Sequence, residues 1–160
     1  MAKQVVFLCT GNICRSPVAE AVARGLYGHL ALRFASAGLE PNPGWGASDG
    51  SRAYAAARGW SLAGHQSRPV TPAMLAEAAW VIGMTRSHAA IFRSRSRGVF
   101  GGSIGVLGAP GVDLAGSGIS PAVEEVADPY GQPERVYRDM GEQISRLLEL
   151  WADEFRALAS

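Results

Sequence analysis

The chain has little that would suit metal chemistry, a membrane or nucleic acid. Only two cysteines occur, Cys9 and Cys14, and both lie in one short stretch. Neither reaches a distant partner, so no disulfide framework is expected, and a reduced, cytoplasmic setting fits. The three histidines (His29, His65 and His88) include no pair at metal-ligand spacing, so no metal site and no cofactor are expected. The formal net charge is only +1, which gives no strong pull toward nucleic acid or an anionic membrane surface. No apolar run approaches the ~20 residues that a membrane-spanning helix needs. Lys3 and Gln4 interrupt the N-terminus, and the apolar run after them is too short for a secretory signal. No repeat or linker divides the 160 residues, so one domain over 1–160 is expected; a monomer is the expected state, though nothing in the sequence fixes it.

What the chain does have is concentrated near its start, in Val5-Val6-Phe7-Leu8-Cys9-Thr10-Gly11-Asn12-Ile13-Cys14-Arg15-Ser16-Pro17. The apolar, β-branched beginning reads as a buried strand. Gly11 and Asn12 both tolerate left-handed backbone angles, so the chain turns there. Ser16-Pro17 reads as a helix start, with Ser16 as N-cap and Pro17 at the first helical position. A strand, a tight loop and a helix N-terminus aim backbone N–H groups and a helix dipole at one place, which suits an anion. Arg15 supports this reading, because a helix start disfavours a cation unless an anion is bound beside it.

The residue types in the loop suit phosphoryl transfer. A phosphomonoester dianion repels nucleophiles, so a catalyst must screen its charge and supply an attacker that is already ionised. Loop amides (Thr10, Gly11, Asn12, Ile13, Cys14, Arg15 and Ser16) would bind the phosphoryl oxygens, and Arg15 can add two parallel charge-assisted bonds. The same positive field favours the thiolate of Cys9, the nucleophilic form. A hydrogen bond from Ser16 would help the sulfur leave in a second, hydrolytic step. Far downstream, Asp128-Pro129 reads by itself as a turn. Beside a cysteine nucleophile, Asp128 becomes the acid that protonates a leaving alkoxide or phenoxide. An acid that must be protonated beside a thiolate predicts activity at mildly acidic to neutral pH.

The rest of the chain alternates strands and helices. Helices are expected from Pro17 to about His29, over Ser51–Arg58, from the Thr71-Pro72 cap, over Thr85–Ser94 with Ile91 and Phe92 facing inward, and from Gln132 to about Ala157. The last carries Val136, Met140, Ile144, Leu147, Leu148, Trp151 and Phe155 at helical spacing. Further strands are expected at Leu30–Ser36, Ala79–Met84 and within Val99–Leu107. Ala35-Ser36-Ala37-Gly38 brings small residues that permit close backbone packing. Leu39–Gly50 and the Gly/Ser/Pro/Ala-rich Gly108–Ala127 read as loops, the second leading into Asp128. Four strands alternating with helices predict an α/β fold, a four-stranded parallel sheet with helices on both faces. The cysteine loop would lie at the carboxyl end of the first strand.

Cys9-Thr10-Gly11-Asn12-Ile13-Cys14-Arg15-Ser16-Pro17, with Asp128-Pro129-Tyr130 at a matching separation, resembles the low-molecular-weight protein tyrosine phosphatases over nearly the whole chain. The resemblance implies a Rossmann-like fold and a phosphocysteine intermediate on Cys9. It also implies a network through Asn12, Ser36 and His65 that braces the loop. A cleft walled by aromatics would put Trp45 and Tyr130 against substrate, although a lone loop tryptophan can equally fill a surface groove. Cys14 is either space-filling or, as the family suggests, a reversible disulfide partner for Cys9.

Several readings share this loop. Ile13 offers an apolar contact that suits a phenyl ring, so proteins carrying phosphotyrosine are the favoured partners. The phosphoarginine-specific branch, which the downstream sequence resembles, tends to carry threonine at that position. Arsenate reduction would need further cysteines, and none follows Cys14. A non-catalytic phosphate-binding module would need neither the thiol nor the acid.

Overall fold

The computed structural model describes residues 2–115 and 122–160. Its centre is β1 (Lys3–Cys9), where Val5, Val6, Phe7 and Leu8 are fully buried. A strand buried on both faces reads as a continuous apolar run, as this one does. β1 is followed by α1 (Arg15–Tyr27), β2 (Leu32–Gly38), α2 (Asp49–Ala57), α3 (Pro72–Glu77), β3 (Ala78–Gly83), α4 (Arg86–Arg95), β4 (Ser103–Val106), α5 (Glu134–Glu149) and α6 (Ala152–Ala159).

The four strands form one parallel sheet in the order β2-β1-β3-β4. Alternation along the strands divides the core. Val5, Phe7 and Cys9 of β1, with Trp80 and Ile82 of β3, pack on the face covered by α1, α5 and α6. Val6 and Leu8, with Val81, face Met74 of α3 and Ala89 and Phe92 of α4. The parity of β1 therefore puts the Cys9 side chain on the α1 face, at the carboxyl end of the sheet. The chain order reverses between β1 and β3, and at such a crevice open α/β sheets bind ligands.

Several elements differ from their sequence-based expectation, each for a physical reason. α1 begins at Arg15, with Cys14 as N-cap and no capping side chain. Ser16 is buried inside the first turn, where its hydroxyl serves Cys9 and Asn12 rather than the helix end. Pro17 becomes the third helical residue, still within the first turn, whose N–H groups have no intrahelical acceptor. The expected single C-terminal helix is two, broken at Leu150–Trp151. Trp151 is fully buried there: its indole N–H donates to Leu107 O at 2.9 Å and its ring packs on Trp80 and Phe155. Ile91 is 40% exposed, so of the expected inward pair only Phe92 is buried. β4 is confined to four residues and leaves Gly101-Gly102 outside it. Residues 116–121 of the expected Gly108–Ala127 loop lie outside the described residues.

Two expectations hold in detail. Thr71 caps α3 by accepting from Met74 N, with Pro72 at the helix start. The small-residue end of β2 packs tightly, since a Cβ on Gly38 would stand 2.7 Å from Thr10 O.

Candidate active site

The site is the loop Thr10–Cys14 between β1 and α1. Its geometry follows from where its carbonyls go. Cys9 O accepts from Leu39 N and Thr10 O from Glu40 N, both at 2.9 Å. Asn12 O accepts from His65 Nε2 at 2.6 Å. Ile13 O accepts from Ser48 N at 2.8 Å and Ser48 Oγ at 2.9 Å, and Cys14 O accepts from Ser51 Oγ at 2.9 Å. These acceptors are tied to surrounding segments. In a trans peptide the next N–H points the opposite way, so Gly11, Ile13, Cys14 and Arg15 turn their donors away from those partners. The uncapped start of α1 adds its dipole to the same place.

Asn12 holds the loop's shape. Its φ is 57°, the one positive value at a non-glycine among the described residues. Asparagine bears that angle at lower cost than most residues. Its side chain is fully buried and spends every polar atom. Nδ2 donates to Ser16 Oγ at 2.9 Å and Ser36 Oγ at 3.0 Å, and Oδ1 accepts from Arg68 N at 3.0 Å. Ser36 Oγ in turn donates to Glu20 at 2.7 Å. The structure thus brings Asn12, Ser36 and His65 together around the loop.

Cys9 Sγ lies 2.9 Å from Ser16 Oγ, and Cys9 is buried. Asn12 already donates to the Ser16 oxygen, which leaves the Ser16 proton for the sulfur or for Ala37 O at 3.5 Å. Arg15 is only 6% exposed. Its Nη1 donates to Val126 O at 3.0 Å, its Nη2 lies 3.8 Å from Asp128 Oδ2, and its Nε is buried with no hydrogen-bond partner. Asp128 is half-exposed and accepts from Tyr130 N at 3.1 Å in a turn, so its carboxylate is held but reachable. Asp128, far from Cys9 and Arg15 in the chain, is brought to the loop that carries them.

Trp45 is 51% exposed and Tyr130 is exposed as well, with no ring contact between them among the described residues. Ser67 holds the Trp45 segment from both sides: its Oγ accepts from Trp45 N and its N–H donates to Trp45 O. Ile13 is half-buried against the α1-side core.

Sequence reasoning missed three neighbours of the loop. Cys14 Sγ lies 2.8 Å from Ser48 Oγ and 3.6 Å from Tyr137 OH. Burial pushes the Cys14 thiol up, and burial together with the bond to Cys14 pushes the Tyr137 hydroxyl up to about 12. Nothing local to Ser48 or Tyr137 announces this contact. The third is His88, whose ring lies 3.1 Å from Thr10 Oγ1. Burial first, and the Arg15 charge second, push its pKa down to about 4. Its signal was the Thr85-Arg86-Ser87-His88 spacing of a capping box, with histidine in the place usually held by a carboxylate or amide. Among the described residues, no group of three or more His, Cys, Asp or Glu is arranged to hold a metal ion, and no helix is long and apolar enough to cross a membrane.

The loop thus holds a buried thiol and a buried arginine, with the carboxylate of Asp128 at its mouth. The family model described as low molecular weight phosphotyrosine protein phosphatase matches residues 4–159, and the chain belongs to that family of enzymes. Among its relatives is the low molecular weight protein-tyrosine-phosphatase Wzb of Salmonella typhi, 33% identical over 90 residues. That match spans 56% of this chain and 59% of the Wzb length. The protein-arginine-phosphatase of Bacillus subtilis is 28% identical over 158 residues, 95% of this chain and 96% of that protein. A solved structure of the YwlE arginine phosphatase, a cysteine-to-serine mutant with a phosphorylated active-site serine, is 26% identical. It superposes with a TM-score of 0.79 over 97% of this chain and 99% of its own.

Proposed function

We propose that the protein hydrolyses phosphotyrosine in proteins through a phosphocysteine on Cys9. One observation carries this reading. Arg15 Nε is buried without a partner, and the carbonyls of the loop after Cys9 are engaged elsewhere, so Arg15 and the loop amides hold donors that those partners do not use. A phosphate dianion supplies the acceptors those donors lack. Cys9 attacks phosphorus as the ester P–O bond breaks, and Asp128 gives its proton to the departing oxygen. Water then attacks phosphorus, Asp128 takes a proton from it, and the S–P bond breaks to release inorganic phosphate and the thiolate. Ser16 Oγ donates to the sulfur as charge returns to it. Amides, Arg15 and the helix dipole supply the positive charge, so the reaction needs no metal ion. The phosphorylated serine in the YwlE mutant supports a covalent phosphoryl-enzyme in this family.

Tyrosine is favoured over other leaving groups by the apolar Ile13 in the loop and by the exposed rings of Trp45 and Tyr130 on the segments that flank it. Phosphoarginine is the second reading, favoured by the full-length similarity to the Bacillus subtilis enzyme. The test is a side-by-side assay on phosphotyrosine and phosphoarginine peptides in the presence of a chelator. Phosphotyrosine turnover that exceeds phosphoarginine turnover and vanishes in Cys9→Ser is expected, with Ile13→Thr moving the preference toward phosphoarginine. Faster phosphoarginine turnover by the unmodified protein would give the second reading its place.

A further inference from the structure

His88 stands outside every residue that the reaction above employs, yet it is 4% exposed and fully hydrogen-bonded. It is the third residue of α4 and closes a reciprocal cap. Its N–H donates to Thr85 Oγ1 at 3.3 Å, and its Nδ1 accepts from Thr85 N at 3.2 Å. A ring nitrogen that accepts from a backbone N–H carries no proton, so in the neutral ring the proton is on Nε2. That atom lies 3.1 Å from Thr10 Oγ1, which therefore accepts. Gly83, at the end of β3, makes room for the arrangement, since a Cβ there would stand 2.8 Å from His88 Cβ. The charged groups acting on the ring are Arg15, Asp128 and Glu125.

Thr10 is the residue directly after the nucleophile, and its own carbonyl is fixed by Glu40 N. A hydroxyl has one proton to give and two lone pairs to receive with. His88 occupies a lone pair, and among the described residues no other bond to Thr10 Oγ1 is made, so the hydroxyl proton is unspent at the solvent-facing rim of the loop. We infer that His88 is a positioning residue for the cradle: its Nε2–H pins the Thr10 hydroxyl beside Cys9, with the hydroxyl proton left for an oxygen of the bound phosphate ester. The inference rests on the phosphatase reading and deepens it. It makes the β3–α4 junction, which supplies no group to the chemistry, part of what shapes the transition state.

A double-mutant cycle on the full chain tests it, with p-nitrophenyl phosphate as substrate. His88→Asn keeps an acceptor near the Nδ1 position, so the bond from Thr85 N survives, but it places nothing at Nε2. Thr10→Val removes the hydroxyl and keeps the branch. Each single variant is expected to lose about tenfold in kcat with little change in KM, and the double variant to lose no more than the worse single one. Losses that multiply in the double variant, or a His88→Asn enzyme at the wild-type rate, would overturn the clamp. Nitrogen-15 NMR of the imidazole gives an independent readout. An unprotonated Nδ1 and a slowly exchanging Nε2 proton are expected in the wild type, and that exchange should quicken in Thr10→Val. A protonated Nδ1 would overturn the clamp without any assay. A wild type whose hydrolysis persists in Cys9→Ser would instead remove the phosphatase reading, and with it the use proposed for the hydroxyl.

Discussion

Arg15 Nη1 donates to the carbonyl of Val126, two residues before Asp128, at 3.0 Å. One guanidinium thus joins the start of α1 to the segment that carries Asp128, across 111 positions of sequence. Nη1 is spent on that tie, which leaves Nε and the remaining N–H groups to face an anion.

Arg15→Lys should therefore damage two things. Lysine keeps the charge but cannot hold Val126 O and grip an anion with a planar fork as well. A fall in kcat of about 100-fold or more is expected, together with faster amide hydrogen exchange in residues 122–131. Unchanged exchange in that segment would show that the tie does not hold the acid loop.

Asn12 offers a way to separate backbone from side chain. Asn12→Gly tolerates the 57° φ but leaves Ser16, Ser36 and Arg68 N without their shared partner. A cost of about 1–3 kcal/mol in urea unfolding is expected. Asn12→Ala should cost about 1 kcal/mol more, because a Cβ is strained at that angle. Equal stabilities for the two variants would mean that the angle is not what asparagine is there to bear.

Asp128 is tested through the leaving group. Asp128→Ala should slow phenyl phosphate far more than p-nitrophenyl phosphate, since nitrophenolate departs without a proton. Equal slowing across a series of phenols would remove Asp128 as the acid.

Cys14 is buried against Ser48 and Tyr137, and it is reduced, as is Cys9. Peroxide should oxidise Cys9 to a sulfenic acid, which Cys14 condenses with, releasing water and forming a disulfide that an added thiol then reduces. Recovery of activity after peroxide should be near complete in wild type and poor in Cys14→Ser. Identical recovery would leave Cys14 as a packing residue.

His88 makes stability depend on pH. A histidine titrates near 6.5 in the unfolded chain, and in the fold burial and then the Arg15 charge lower this to about 4, against Asp128 and Glu125. Between those values the unfolded chain binds a proton that the folded chain refuses. The stabilisation is therefore complete above about pH 6.5 and shrinks as pH falls toward 4, by up to ~3 kcal/mol. Urea midpoints at pH 7 and pH 4.5 should draw together in His88→Asn relative to wild type. An unchanged gap would contradict the shift.

Much of this site is legible in the sequence because its chemistry is local. Cys9, the amides and Arg15 sit within seven residues, and strand, turn and helix signals coincide there. The parallel sheet follows from the alternation of elements. The end of the long C-terminal helix does not. No glycine or proline marks Leu150–Trp151; the break comes from an indole that reaches Leu107 O and meets Trp80 edge-on, partners distant in sequence, while it stacks on Phe155 of the next helix. The Ser16 hydroxyl looked like a helix cap because capping is what serine does before a proline. The fold takes it away from the helix end, keeps the expected contact with the Cys9 sulfur and adds the Asn12 side-chain amide as a partner. The contact of His88 with Thr10 was invisible for a related reason: the two become neighbours only when β3 pairs with β1.

The close approach of Gly38 to the loop has an evolutionary consequence. A methyl group at that position would press on Thr10 O and on the Asn12 Cβ, 3.1 Å away. A library of random substitutions selected for turnover should return glycine there almost alone, while the exposed Val99 would drift freely. The loop after Cys9 thus owes its contour partly to an atom that is missing from the strand next door.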